Sequence, residues 1–484
     1  MIIVSITGPS MEEALGQVAG SSPYADMFEF RLDLMARPNI ARLMSSTSKP
    51  TIATCRPARE GGEFSGPERE RIGMLDLASV FGAHYVDIEL SSSPGIVADF
   101  IRRQKETKVI VSHHLLGGVL FDVQRIYKAL HSTGADVIKF AYEATDSCEN
   151  HLAFDFLSLA RRDKRKAAAI AIGDAGEPSR VLYRKFGGWA TYAATEDGNN
   201  AAPGQIPASQ LKELFRADKL SPATKVFGVV GDPVNHSKGI LVHNPLFRRA
   251  ETNAVYCRFK VANIARFMEL MSPHLHGFSV TLPHKQSVMG YLDKVDPIGK
   301  AIGAVNTVVR RGNKLIGTNT DAPGALDAIE YTTRVKGKTV LILGAGGAAR
   351  AIAYEAKKRG GEVVITNRTT SKGEALARDL GCKFVSWKSR TRVEFEVLVN
   401  ATPVGMSPQV DETPFSKHLL RRKVVFDAVY NPPITRLLKE AKSAGARIIP
   451  GMMMYLNQAA LQSEMYSGRK PDMALMRKLL QIDH

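Results

Sequence analysis

Residues 340–350, VLILGAGGAAR, and residues 362–372, EVVITNRTTSK, decide how the second half of this chain is read. Apolar residues end in a glycine-rich turn and run on into Ala-Ala-Arg-Ala-Ile-Ala, so a buried strand breaks sharply into a helix. That pattern opens a βαβ nucleotide-binding unit. Gly344, Gly346 and Gly347, with Ala345 and Ala348, let the backbone approach a pyrophosphate, and the new helix offers free N–H groups and the positive end of its dipole. Asn367, Arg368, Thr369 and Lys372 follow where such a fold reads the ribose. An acid there would bond a free 2′-hydroxyl, whereas these donors suit a 2′-phosphate. The expected cofactor is NADP(H).

Around this unit the chain has 484 residues, too many for one ordinary core, and 44% hydrophobic with 23% charged residues is a globular balance. No apolar run approaches the length of a membrane span, and the first residues, MIIVSITGPS, read as a strand rather than a targeting peptide. Four scattered cysteines, Cys55, Cys148, Cys257 and Cys382, lack metal-ligand spacing, so no metal is expected and a cytoplasmic location is. The net charge of +17 is dispersed along amphipathic segments without a basic tail or aromatic platform. It points to anionic small molecules rather than nucleic acid or membrane. A monomer is the working expectation for the oligomeric state.

Upstream, eight β-like runs alternate with helical stretches over residues 1–221: IIVSIT, MFEFRLD, TIATCR, YVDIEL, KVIVSHH, DVIKFAY, AAAIAIG and GGWATYAAT. That is the arithmetic of a (β/α)8 TIM barrel, whose chemistry sits at the C-terminal ends of its strands. Unusual polar residues cluster at those ends. Lys139 lies inside DVIKFAY, where a charge is costly to bury without purpose. Glu29 and Arg31 are two apart and so share a face. Arg56 ends one strand and Glu60 follows in its loop; His113 and His114 end another, and only one of them can point inward. Arg180 and Gln205 lie in the last loops. A lysine crowded by arginines in a dry pocket is expected to be a free amine, able to form a Schiff base with a ketone. The iminium acidifies the adjacent C–H, and a histidine can take that proton and later protonate a leaving hydroxyl.

EFRLD, TCRPAREGGE, SHH, DVIKFAY, PSR and APGQI resemble type I 3-dehydroquinate dehydratase in order and spacing. The resemblance implies that Lys139 forms the Schiff base, that His114 is the general acid/base, and that Glu60 orients it. It implies that Glu29, Arg31, Arg56, Arg180 and Gln205 bind substrate. Ala201 stands where relatives often carry serine, so a hydroxyl contact is missing.

A boundary near residue 222 leads into residues 225–321, where NHSKG, FSVTLPHK, AVNTVV and GTNTDAPG supply Ser237, Thr281, Lys285, Asn306 and Asp321. Singly these are caps and first-turn residues; together, upstream of a dinucleotide unit, they are a substrate pocket. Lys285 can give a proton to a ketone oxygen and Asp321 can hold it in place. With GAGGAAR, NRTTSK, NATPVGM, DAVYNPPITRLL and GMMMYLNQAA, these motifs resemble shikimate dehydrogenase throughout 225–484. The resemblance implies a Lys285–Asp321 catalytic pair and substrate contacts from Ser237, Thr281, Asn306, Tyr430 and Gln458. It places Thr402 and Met406 on the nicotinamide side, and Gly451 where the chain leaves the cofactor domain. The expected second domain is thus 222–321 plus about 453–484 for substrate and about 322–452 as a Rossmann domain. Gly239 replaces a serine found in many relatives. The two halves imply consecutive steps: dehydration of 3-dehydroquinate to 3-dehydroshikimate, then its reduction to shikimate by NADPH.

Overall fold

The computed structural model describes residues 1–117 and 121–482. By contact density the chain forms two compact units, Met1–Ile240 with Asn253–Leu275, and Leu241–Thr252 with His276–His484.

In the first unit the eight runs become β1 (Ile2–Ile6), β2 (Met27–Arg31), β3 (Thr51–Thr54), β4 (Tyr85–Glu89), β5 (Lys108–Leu115), β6 (Val137–Glu143), β7 (Lys166–Ile172) and β8 (Thr191–Ala193). They pair in parallel in the order β7-β6-β5-β4-β3-β2-β1-β8. The Trp189 N–H, just ahead of β8, donates to the Ala167 carbonyl of β7 at 2.8 Å, which ties the two ends of the sheet together as the expected barrel. Period-two alternation builds the interior in layers. Ile3, Met27, Tyr85, Ile110 and Val137 belong to one apolar cluster. Two residues further along the same strands stand Ser5, Glu29, Asp87, Ser112 and Lys139, all buried. The floor is therefore hydrophobic and the next layer up is polar.

The same unit carries β9 (Lys225–Gly231) and β10 (Ala254–Lys260), paired in parallel. They are tied to the barrel by backbone donors: Lys260 N to Ser147 Oγ at 2.9 Å and Ala262 N to Asp146 Oδ2 at 2.8 Å.

In the second unit β11 (Gly277–Val280) and β14 (Lys314–Thr318) flank β13 (Thr307–Arg311) antiparallel, and β12 (Lys294–Val295) joins β14 in parallel. Six parallel strands follow: β15 (Thr339–Leu343), β16 (Glu362–Thr366), β17 (Lys383–Phe384), β18 (Val397–Asn400), β19 (Val424–Asp427) and β20 (Arg447–Ile449). Their order, β17-β16-β15-β18-β19-β20, is doubly wound, with its reversal between β15 and β18. Ligands bind outside the strand ends at such a reversal. Helix Gly451–Ser467 then returns to helix Asp321–Glu330, where Asn457 Nδ2 donates to the Gly324 carbonyl at 3.1 Å.

Candidate active sites

Glu29, Arg31, Arg56, Glu60, His114, Lys139, Arg180 and Gln205 all line one barrel cavity of about 280 Å³. The polar layer holds its cations by fixed partners. Lys139 Nζ lies 3.1 Å from Asp87 Oδ2 and 3.5 Å from Glu29 Oε1, and 4.0 Å from the centre of the Tyr192 ring. The expectation of an ammonium crowded by arginines is corrected here, because the nearest charges to Lys139 are carboxylates. Arg56 stands behind them, donating to Asp87 Oδ2 at 2.9 Å and to Glu89 Oε1 and Ser112 Oγ, each at 2.7 Å. Burial would raise the Asp87 carboxyl, but Arg56 and then Lys139 hold it below the usual range. Glu89, paired also with Arg71, is pushed up by burial, with Asp87 adding to the rise against both arginines.

Asp87, Glu89, Ser112 and Tyr192 were not singled out from the sequence. The signal was present in YVDIEL, where two acids alternate with apolar residues and so share the barrel face.

Of the two histidines, His114 is the one held in place. Its Nδ1 lies 3.0 Å from Glu60 Oε2, and the same oxygen accepts its backbone N–H. Burial and then Arg56 push the His114 imidazole down to about 3, against the pull of Glu60. It is therefore neutral near pH 7, and the Nδ1–H donated to Glu60 leaves Nε2 as a base. Burial would raise Glu60, yet the imidazoles of His113 at 3.8 Å and His114 at 3.0 Å hold it below the usual carboxylate range.

Arg31 is clamped by Asp33 through Nε at 3.0 Å and Nη2 at 2.7 Å. Arg180 differs from these arginines: fully buried, it reaches only the carbonyls of Tyr192 at 3.3 Å and Pro203 at 3.4 Å. Burial lowers it to about 10, and among the described residues no carboxylate pairs with it. An anion is what this guanidinium lacks. Gln205 Oε1 accepts the Ala201 N–H at 2.8 Å, so the loop lacking the serine is still closed by an amide.

In the second unit, Lys285 Nζ and Asp321 Oδ2 are 2.6 Å apart and partly exposed. Asn319 Oδ1 accepts the Asp321 and Ala322 N–H groups at 3.0 and 3.2 Å, which fixes the acid at the helix start. Asn306 is buried; its Oδ1 accepts from Thr320 N at 2.8 Å and Thr307 Oγ1 at 2.7 Å, and its Nδ2 donates to Thr320 Oγ1 at 3.0 Å. Thr320 Oγ1 also reaches Gln458 Oε1 at 3.4 Å. Asn306 and Gln458 are thus linked through one hydroxyl. The half-exposed Tyr430 phenol is raised by burial, while Lys285 lowers it and Asp321 raises it, as befits a neighbour of that pair. Thr281 is partly exposed at the end of β11.

Ser237 belongs to the first unit, in the turn after β9, with its Oγ 3.3 Å from the Gly239 N–H. A Cβ on Gly239 would stand 2.7 Å from the Tyr256 ring. A side chain at this position would therefore have to displace the end of the Tyr256 ring.

Around β15 the backbone is shaped for a dinucleotide. Gly344 has φ +118°, and a Cβ there would lie 2.8 Å from the Ala401 carbonyl. Beyond partly buried Ala345, at Gly346 and Gly347, a Cβ would meet nothing within 4 Å, so the start of helix Gly347–Lys358, with Ala348 in its first turn, faces an open cradle. At the end of β16, Asn367 Nδ2 donates to the Thr369 carbonyl at 2.9 Å, which shapes the turn. Arg368 and Lys372 are exposed and, among the described residues, pair with no carboxylate. Arg350, by contrast, is paired with Asp379 at 2.7 Å. Thr402 Oγ1 donates to Asn400 Oδ1 at 2.6 Å, and Asn400 Nδ2 donates to Asp427 Oδ1 at 2.9 Å. Burial pushes Asp427 up to about 6 against hydrogen bonds from Thr435, Val429 and Asn400. Met406 is exposed beyond them, and Gly451 opens the helix after β20. The residues present fit a 2′-phosphorylated dinucleotide. Among the described residues, no group of three His, Cys, Asp or Glu is placed to hold a metal, and no helix is long and apolar enough to cross a membrane.

Residues 2–222 match the type I 3-dehydroquinase family, residues 229–308 the shikimate dehydrogenase substrate binding domain, and residues 327–407 the shikimate / quinate 5-dehydrogenase family. The chain is 38% identical to the chloroplastic bifunctional 3-dehydroquinate dehydratase/shikimate dehydrogenase of Arabidopsis thaliana, over 92% of this chain and 78% of that protein. It is 39% identical to the shikimate dehydrogenase (NADP(+)) of Pyrococcus abyssi, over 53% of this chain and 97% of that protein. The crystal structure of the Thermus thermophilus shikimate 5-dehydrogenase in complex with NADP(H) and shikimate matches with TM-score 0.50 and 34% identity, covering 53% of this chain and 99% of that one.

Proposed function

We propose roles for individual residues from one premise: the chain belongs to the bifunctional 3-dehydroquinate dehydratase/shikimate dehydrogenase family. It dehydrates 3-dehydroquinate to 3-dehydroshikimate and reduces that product to shikimate with NADPH. The dehydratase occupies 1–221. The dehydrogenase occupies 222–484, with 222–321 and about 453–484 binding substrate and about 322–452 binding cofactor.

In the barrel, Lys139 Nζ adds to the substrate ketone and water leaves as the iminium forms. Neutral His114 takes a proton from the adjacent carbon through Nε2 and returns it to the departing hydroxyl. Glu60 fixes the imidazole's tautomer and stabilises its charged form. Arg180 takes the substrate carboxylate; Glu29, Arg31, Arg56 and Gln205 position its hydroxyls. Water then releases Lys139. The single observation that carries this reading is Arg180, a buried cation without an acid in a cavity that also holds Lys139 and the His114–Glu60 pair.

In the second half, NADPH supplies the hydride when bound. Lys285 gives the proton to the ketone oxygen and Asp321 keeps Lys285 on that oxygen. Ser237, Thr281, Asn306, Tyr430 and Gln458 hold the polyhydroxy acid. Gly344, Ala345, Gly346, Gly347 and Ala348 take the pyrophosphate, Asn367, Arg368, Thr369 and Lys372 take the 2′-phosphate, and Thr402, Met406 and Gly451 flank the nicotinamide. The protein works as a monomer, and its four free cysteines suit a reducing compartment such as the cytoplasm.

Incubation with 3-dehydroquinate and NADPH is expected to lower cofactor absorbance as shikimate accumulates. Lys139→Ala should remove dehydration by a factor of about 10⁴ while shikimate oxidation stays within about two-fold, and Lys285→Ala should do the reverse with a loss on the order of 10²–10⁴. If each variant keeps both half-reactions, the assignments fall.

A further inference from the structure

Arg258 on β10 lies outside the barrel pocket, yet both its side chain and its backbone are tied to one buried acid, Glu177. Its Nη2 lies 2.6 Å from Glu177 Oε2, its Nε donates to the same oxygen at 2.7 Å, and its backbone N–H donates to Glu177 Oε1 at 2.7 Å. Its third nitrogen, Nη1, donates to the Asn235 carbonyl at 3.1 Å, and Asn235 Nδ2 donates to Asp174 Oδ2 at 2.9 Å.

These contacts close a ring between two loops of one compact unit. Asp174 and Glu177 belong to the segment after β7, and Glu177 opens the short helix Glu177–Leu182 that carries Arg180. Asn235 stands two residues before Ser237. The ring also walls a second cavity of about 260 Å³, and Gln205 lines both that cavity and the dehydratase pocket. Glu177 is 6% exposed, so a change that breaks its pair with Arg258 leaves a buried carboxylate without its counter-charge. The helix is thus gripped at its first residue by Arg258 and carries Arg180 at its middle.

We propose that Arg258 is a positioning residue that couples the two sites: an anion on Arg180 fixes helix 177–182, Glu177 fixes Arg258, and Arg258 holds residues 234–238 in the form that binds shikimate. Filling the dehydratase then tightens the dehydrogenase, and by linkage the effect is reciprocal. The coupling rests on the roles assigned to Lys139, Arg180 and Ser237.

The test locks ligand into the barrel. Reducing the Lys139 imine with borohydride in the presence of 3-dehydroquinate leaves a secondary amine, and excess reagents are then removed. Shikimate oxidation by NADP⁺ is measured on locked and unlocked enzyme. The KM for shikimate is expected to fall about five-fold on locking, with kcat held within about two-fold. Arg258→Met and Glu177→Gln should abolish the shift, and Arg258→Lys should restore part of it, which a merely structural role would not do. Equal KM before and after locking overturns the proposal, as does a shift that survives both substitutions. If Arg258→Met does not fold, the nearly isosteric Glu177→Gln decides the same question. Absence of a mass increase on Lys139 would refute the Schiff-base assignment instead. In that event the coupling stands or falls on the unlocked enzymes, where Arg258→Met must raise the shikimate KM by about three-fold and an unchanged KM overturns it.

Discussion

In the proposed assignments the barrel pocket and the dehydrogenase site each present a lysine to a ketone, and the surroundings of the two lysines are opposite. Lys139 is buried in a layer whose charges are fixed before substrate arrives, with Asp87 and Glu29 on Lys139 and Asp87, Glu89 and Ser112 on Arg56. Among the described residues Lys285 Nζ pairs with Asp321 alone, and its side chain is 30% exposed. Strands impose the first arrangement, because residues two apart on neighbouring strands have nowhere else to point. Strand ends and loops impose the second. Preorganisation in the barrel thus rests on a network of buried protein charges, and at Lys285 on a single part-exposed pair.

That contrast breaks most severely at Asp87. Asp87→Asn removes the charge shared by Arg56 and Lys139 while keeping the shape. Leaving two buried cations short of one carboxylate should cost roughly 3–5 kcal/mol of barrel stability and lower dehydration by at least about 10²-fold. Shikimate oxidation should hold within about two-fold. Urea unfolding followed through Trp189, in a Trp387→Phe background that leaves it the sole tryptophan reporter, reads the first effect. Unaltered dehydration would show that the layer is packing rather than electrostatic machinery.

In the cleft the corresponding change is milder, because the charges it removes are solvated until cofactor arrives. Arg368→Ala combined with Lys372→Ala should raise the KM for NADPH about 10–100-fold, as expected for losing charge-assisted bonds to a phosphate. The KM for NADH should stay near its wild-type value. Equal losses for both cofactors would move the 2′-phosphate away from these side chains.

Much of both sites was legible because the chemistry follows the secondary-structure period. Glu29 with Arg31, Lys139 within an apolar strand, and the glycine turn ahead of Asn367 each announce a face or a terminus. Asp87 and Glu89 were equally periodic, yet acids in a strand read as solvated when the cation facing them is far away in sequence; Arg56 is 31 residues from one and 33 from the other. Arg258 and Glu177 are 81 apart, and no local pattern joins them. Gly239 differs in kind. Its sequence reading concerned the group it lacks, and the structure adds that the end of the Tyr256 ring lies 2.7 Å from where a Cβ would stand.

The smallest effect sharpens the contrast through proton linkage. Burial and Arg56 lower His114 from 6.5 to about 3, so between those values the unfolded chain binds a proton that the folded barrel refuses. Stability contributed by neutral His114 is therefore fully present above about pH 6.5 and is lost as pH falls towards 3, by at most about 1.4 kcal/mol per unit. Acids with raised values run the other way. Asp427, up at about 6 from 3.8, gains stability as pH falls through that window, and Glu89 has the same sign. The raw profile is then a partial cancellation, and only a difference isolates the histidine. His114→Gln should lose the acid-side slope that wild type shows at Trp189, so the stability difference between the two should shift in favour of the variant by about 1 kcal/mol from pH 6.5 to 5.5. A difference that stays constant over that range would show that the folded barrel lets His114 take up its proton as readily as the unfolded chain does, and the buried imidazole held neutral by Arg56 would be refuted.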